Sequence, residues 1–299
     1  MMRFRKIWIG IGAFTIAGGT GSSALPAQPS GNQQAQPNET AMDRGLSVLW
    51  RQRILAHALT VAQGGEGGEG GEGGEGGEGG EGGINVEAAA KDPVEYGVAL
   101  QVIAAHYHAG LAAYEGKEQE AGAQMFAHGL SEIYVAMEEV FKARGVTGLG
   151  GKLEAAVTAA GEKKPVAEVR RKADAVFAAL KAADKAAPKS AIPAPAIRAR
   201  IAAEMADRAA AQYAVVQKDA SLEAYLDGLG FAMAARAEAK EALPYLRKID
   251  PKKEAALQKA VALSAKAYPG IRRPDKAAVS LADLQAAASA AKLAVSNLP

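Results

Sequence analysis

Imidazole and carboxylate side chains between residues 106 and 139 are the best candidates for chemistry in this chain. The chain has four histidines and no cysteine, which excludes thiolate ligands and disulfides. On a helix, His128, Glu132 and Glu139 lie along one stripe because they follow i, i+4 and i+11 spacing. This ligand set suits iron, zinc or manganese better than copper(I). The spacing predicts a metal site for iron or another divalent cation on this stripe.

A helical hairpin is needed to position these residues. Asp92-Pro93-Val94-Glu95 is typical of a helix start, and we expect the helix to run to Tyr114. A turn at 115–117 then leads to a second helix from about Glu118 to Ala143. His106 lies ten residues before Gly116 and His128 twelve after it, so an antiparallel pair brings them within about two turns of the same height.

His106 is therefore predicted as a ligand from the opposite helix. His108 lies about 200° from His106 around the same helix, so at most one of the two joins His128. The alternative to a metal site is a solvated acidic face with an incidental histidine. At about 100° of rotation per residue, the stripe lies opposite the apolar face that contains Phe126 and Met137. The stripe therefore faces solvent unless another helix covers it.

The whole composition indicates an all-α protein. Hydrophobic residues make up 49% of the chain but aromatic residues only 5%, with alanine filling most of the difference, and alanine favours helices. We predict an alanine-rich antiparallel helical bundle of about seven helices over residues 84–299, with a possible sub-boundary near 188–195. The later helices are expected at 149–160, from Pro165 through Leu180, and at 196–217, 221–243, 251–267 and 281–296.

Two features of the 221–243 helix need an interpretation. Gly228 and Gly230 interrupt an otherwise good helix, and close helix packing or a kink is favoured over a phosphate loop because the preceding strand and the lysine of such loops are absent. Arg236, Glu238 and Glu241 have the spacing of a salt-bridged surface.

The N-terminal region predicts export. Arg3, Arg5 and Lys6 precede a short apolar run and small residues, which is typical of a signal peptide over residues 1–24. Residues 25–63 are predicted as a disordered leader plus one helix, and residues 64–83, built only of glycine and glutamate, as a flexible tether (the Gly–Glu tract). The mature protein is then periplasmic or secreted. The alternative is an inner-membrane anchor formed by an uncleaved N-terminal segment.

Charge is distributed unevenly along the chain. Residues 61–141 hold fifteen acidic and two basic residues, a net of −13, whereas residues 142–200 have a net of +8. The acidic part attracts cations. The lysines and arginines of the basic part are interleaved with alanine on helical patterns, and its single aromatic residue, Phe177, gives no platform for stacking on bases, so no nucleic-acid partner is expected. We find no nucleophile elbow, Ser/His/Asp order, zinc-protease motif or EF-hand loop, which favours a protein that is not an enzyme.

This plan resembles the imelysin-like periplasmic iron-uptake proteins over residues 94–297. Members of that family are helical bundles with a His-x-x-Glu metal motif, and the stretch here is His128-Gly129-Leu130-Ser131-Glu132, one residue longer. The segments 225–228 and 267–270 are similar to the extracytoplasmic helical parts of iron-permease systems. The hairpin is also similar to a tetratricopeptide unit, without a second copy at 34-residue spacing.

Two functions follow. The first is capture of a hard metal cation, with iron preferred, in support of uptake or homeostasis, with an inner-membrane permease or other envelope protein as partner. In this function the Gly–Glu tract collects cations weakly. The alternative is a non-enzymatic envelope scaffold or adaptor that binds a protein through the hairpin surfaces.

Overall fold

The structure, a computed structural model, describes residues 83–218 and 221–299. The predictions of a signal peptide, a leader and the helix at 41–63 lie outside the described residues, as does the Gly–Glu tract except for Gly83. The described residues form an all-α bundle without strands. Its helices are α1 (Val86–Ala89), α2 (Pro93–Glu115), α3 (Gln119–His128), a π-helical segment (Gly129–Tyr134), α4 (Val135–Ala143), α5 (Leu149–Gly161), α6 (Val166–Asp184), α7 (Ala194–Lys218), α8 (Leu222–Ile249), α9 (Pro251–Ala267) and α10 (Leu281–Ser296).

Several helix starts are fixed by capping side chains. Asp92 accepts hydrogen bonds from the backbone N–H groups of Val94 and Glu95 and is followed by proline, as the sequence predicted. Asp250, Ser221 and Ser280 cap α9, α8 and α10 in the same way. These caps satisfy N–H groups that have no partner within the helix.

Helix α2 lies at the centre of the bundle. It packs against α3, α6, α7 and α8, and most of its residues are buried. Helices α7 and α8 form the most extensive pair; α9 packs against both of them, and α10 packs against α7 and α9. Alanine fills much of this core, so the helices approach closely and leave room for a few large aromatic side chains.

Buried tyrosines connect the helices across the core. The hydroxyl groups of six tyrosines each donate a hydrogen bond to a backbone carbonyl at least 45 residues away in sequence. A buried hydroxyl needs such a partner because its loss of water is costly. The pairs are Tyr96–Ala183, Tyr107–Leu153, Tyr114–Lys164, Tyr213–Val279, Tyr225–Gly270 and Tyr268–Ala209.

The predicted hairpin is confirmed, but its second helix is not a regular α-helix. The π-helical segment Gly129–Tyr134 separates α3 from α4. The Ser131 hydroxyl donates to the Ala127 carbonyl at 2.9 Å, so a side chain competes for an acceptor of the helical ladder. A π turn holds about one more residue than an α turn, which rotates the following positions by about 100° relative to a regular helix.

Helix α8 is longer than predicted. We expected an end near Leu243, and the helix continues through Pro244 to Ile249. Proline removes one backbone N–H from the ladder, yet the helix continues because Leu246, beyond the proline, is buried in the core. In the part of the chain that the structure describes, no helix has the length and apolar content needed to cross a bilayer.

Candidate metal centre

Three side chains from three helices converge beside the centre of α2. His106 comes from α2, His128 from the last position of α3, and Asp227 from α8. One potential ligand atom from each lies within 4.8 Å of the other two. We call these residues the His/Asp cluster. Among residues 83–218 and 221–299 it is the only group of three or more such side chains that meets this distance.

His106 is the deepest member of the cluster. Its Nδ1 lies 2.8 Å from the Val102 carbonyl oxygen, and because a carbonyl only accepts, Nδ1 carries the proton. The Nε2 atom is then left with its lone pair, 3.5 Å from Oδ1 of Asp227. This backbone contact fixes the tautomer and the ring orientation in the way seen for many metal-binding histidines.

The electrostatic surroundings keep His106 neutral. Burial lowers the pKa of the His106 imidazole to about 4, the Val102 hydrogen bond partly opposes this, and the charges of His128 and Arg208 lower it further. A neutral imidazole at neutral pH has a free lone pair on Nε2 for a cation.

His128 and the carboxylates of α8 lie nearer to solvent. The Nε2 atom of His128 is 3.5 Å from Oε1 of Glu223. Glu223 and Asp227 are four residues apart on α8, so both carboxylates project from one side of that helix. The exposed fractions of the side chains are 41% for Glu223, 20% for His128, 12% for Asp227 and 6% for His106. The four residues therefore form a series from the surface to the core.

Two glycines bring the helices close enough for this arrangement. A Cβ atom on Gly129, next to His128, would lie 3.2 Å from the Cβ of His106. A Cβ on Gly230 would lie 2.4 Å from the carbonyl oxygen of Ala105, next to His106. A side chain at Gly230 would force α8 away from α2, so this glycine keeps Asp227 near His106. The predicted close packing at Gly228 and Gly230 is confirmed, since a Cβ on Gly228 would also clash, in this case with the phenol ring of Tyr268.

The structure separates the predicted ligands into two groups. His106 and His128 meet across the hairpin, whereas Glu132 and Glu139 are not part of the cluster. Glu139 is 85% exposed, with Oε1 2.9 Å from Nζ of Lys142. The prediction that these residues share one stripe assumed a regular α-helix. The π-helical segment begins directly after His128 and changes the angular positions of the following residues around the helix axis. Helix α8 covers the stripe at His128.

His108 has a different environment, in agreement with the prediction that only one histidine of α2 joins His128. Its ring stacks on Phe177, with ring centroids 4.3 Å apart, and burial lowers its pKa. It lines a cleft of about 440 Å³ with Glu238 and Arg198.

Glu238 corrects one further prediction. It is buried rather than part of a surface ion-pair group, and it accepts hydrogen bonds from Gln101 and Arg198. Burial raises the pKa of Glu238 although the Arg198 guanidinium opposes this. The residue fixes α8 to α2 and α7 rather than facing solvent.

Asp227 and Glu223 were not among the predicted ligands. They are about 100 residues from His128 in sequence, and only the packing of α8 on the hairpin brings them to the site. One signal was present, because Asp227 lies in the 225–228 stretch noted for its similarity to iron-permease systems and directly precedes a glycine that permits close packing.

Comparisons with known proteins identify no relative. No protein-family model matches the chain, and neither the curated proteins nor the solved structures contain a significant match to it. The geometry of the His/Asp cluster is therefore the main guide to function.

Proposed function

We propose that this chain is an exported protein that binds a divalent transition-metal cation at the His/Asp cluster, with iron as its cargo. The observation that carries the proposal is the convergence of ligand atoms from His106, His128 and Asp227 to within 4.8 Å. Because the three residues come from separate helices, tertiary packing places them together. Two imidazoles and a carboxylate form a familiar ligand set for iron and zinc.

The ligand set also bears on which metal is bound. Zinc binds nitrogen and oxygen sites more tightly than iron(II) or manganese(II) under equal conditions. Iron as the cargo therefore depends on its supply to the site and on the number of open coordination positions. A titration must compare the metals rather than test iron alone.

Export and uptake are the broader part of the proposal. The basic and apolar N-terminal segment supports export, and the similarity to imelysin-like proteins supports a role in iron uptake. The Gly–Glu tract would raise the cation concentration near the protein without forming a tight site. An inner-membrane permease or another envelope protein would receive the metal.

The scaffold alternative receives less support from the packing. A tetratricopeptide-like surface would use the exposed faces of the hairpin, but α2 is largely buried under α3, α6, α7 and α8. Little of α2 is left for a partner protein. This burial favours metal binding as the function to test first.

The test is calorimetric titration of the purified chain with Zn²⁺, Mn²⁺ and, without oxygen, Fe²⁺. With little change in side-chain size, Asp227→Asn removes the carboxylate charge and His128→Gln removes the imidazole ligand. His108→Gln and Glu139→Gln are the matched controls, because the first makes the same change at a histidine outside the cluster and the second neutralises a carboxylate outside it. Their purpose is to separate loss of a ligand from a general effect on charge or folding.

We expect one saturable site whose affinity falls by about 100-fold or more in each cluster variant and stays unchanged in the controls. The absence of saturable binding by the wild-type chain would contradict the proposal. Binding that disappears only when residues 64–83 are deleted would also contradict it, since the tract alone would then hold the metal.

A further inference from the structure

We propose that Glu223 is the fourth ligand of the His/Asp cluster and the residue through which a cation enters and leaves. This inference rests on the proposed metal-binding function. It assigns the site a set of two imidazoles and two carboxylates. It also makes one ligand exchangeable, as a protein that delivers its metal requires.

The gradient of exposure supports an entry role. The exposed fraction of the side chain falls steadily from Glu223 through His128 and Asp227 to His106. A hydrated cation that approaches from solvent meets the Glu223 carboxylate before any other member. Since each later ligand is more buried, the cation can exchange its water molecules for protein ligands one at a time.

The distances fit a four-coordinate ion. Two atoms bound to the same ion at about 2.1 Å lie about 3.4 Å apart in tetrahedral geometry. The Nε2 of His106 is 3.5 Å from Oδ1 of Asp227, and the Nε2 of His128 is 3.5 Å from Oε1 of Glu223. Each histidine is thus already spaced from one carboxylate as two neighbouring ligands would be.

Glu223 has the exposure that an exchangeable ligand needs. Its carboxylate is not among the atoms that already lie within 4.8 Å of one another, so its side chain must turn inward to complete the site. Its backbone is held in the first turn of α8, and a change of rotamer of the partly exposed side chain would bring the carboxylate inward. The buried ligands retain the metal, and the exposed one controls access.

The experiment uses Co²⁺ as a spectroscopic probe of the full chain. Four-coordinate Co²⁺ absorbs visible light much more strongly than six-coordinate Co²⁺, so the spectrum reports the number of ligands. Glu223→Gln removes the charge at nearly constant size. Glu241→Gln is the matched control, because it makes the same change at an exposed glutamate of α8 about 27 Å farther along the helix.

We expect Glu223→Gln to weaken Co²⁺ binding by about 10- to 100-fold, to reduce the visible absorption and to speed metal loss to a chelator, while Glu241→Gln behaves as wild type. Identical affinity, spectrum and release rate in the two variants would overturn the role of Glu223 and leave the proposed function standing. If the wild-type chain binds no Co²⁺, both proposals fail. Circular dichroism of each variant verifies that the fold is retained.

Discussion

The close contact at Gly230 gives a prediction that the structure makes quantitative. In Gly230→Ala the new Cβ would meet the Ala105 carbonyl oxygen at 2.4 Å, whereas ordinary contacts begin near 3.4 Å. Helices α2 and α8 would have to separate by about 1 Å. The atom that is struck belongs to the backbone of a buried helix, so no side-chain rotation can relieve the clash.

Two free-energy terms oppose each other in this variant. Overpacking of a core costs about 1–3 kcal/mol, and contact with backbone places this site at the upper end. Replacing glycine by alanine within a helix stabilises the helix by about 1 kcal/mol. We therefore expect the free energy of unfolding to fall by about 2 kcal/mol, which corresponds to a decrease in Tm of about 4–8 °C for a protein of this size.

A matched control separates the two terms. Gly151 lies in α5 and its added Cβ would meet no atom within 4 Å, so Gly151→Ala should retain or raise stability by up to about 1 kcal/mol. Urea unfolding of both variants measures the difference. If Gly230→Ala is as stable as Gly151→Ala, the close approach of α8 to α2 does not hold. In the metal titration, Gly230→Ala should also weaken metal binding because it moves Asp227 away from His106.

Three further predictions concern the described residues. The pKa of His106 is lowered to about 4 in the folded chain, so the unfolded chain binds more protons between pH 6.5 and 4. Acidification over that window should therefore cost about 3 kcal/mol of stability. Urea unfolding at pH 7 and 4.5 should show a smaller loss of stability in His106→Gln than in the wild-type chain. Asp92→Ala removes the N-cap acceptor of α2 and should lower the free energy of unfolding by about 1 kcal/mol; a value unchanged from wild type would show that the cap contributes nothing. Tyr268→Phe deletes the hydroxyl that donates to the Ala209 carbonyl and should cost about 1 kcal/mol, measured by the same unfolding assay.

The helices were largely predictable from the sequence because their starts carry local signals. Asp92-Pro93 and Asp250-Pro251 fix φ and provide an acceptor for the first N–H groups, whatever the rest of the fold does. The end of α8 was not predictable in this way. Pro244 is an unfavourable local feature, and burial of Leu246 outweighs it only in the folded bundle.

The approach of His106 to His128 was predictable from hairpin geometry. The turn at Gly116 sets the heights of His106 and His128, and this register needs no knowledge of other helices. The placement of Asp227 depends on how α8 packs across α2, which is a tertiary property with a weak local signal. The assignment of Glu132 and Glu139 relied on a constant 100° per residue, and a π-helical segment has no simple sequence signature.

The π-helical segment after His128 has a consequence for how this protein could change over evolution. An extra residue within a helix is an insertion that the chain absorbs locally, so the histidine before it and the core residues after it, such as Met137 and Phe141, each keep their own alignment. Deleting one residue from 129–134 would restore a regular helix. Either the histidine or the core residues after the segment would then be rotated by about 100° from their present orientation. The segment thus uncouples the orientation of the histidine from the orientation of the core, and either can vary without the other.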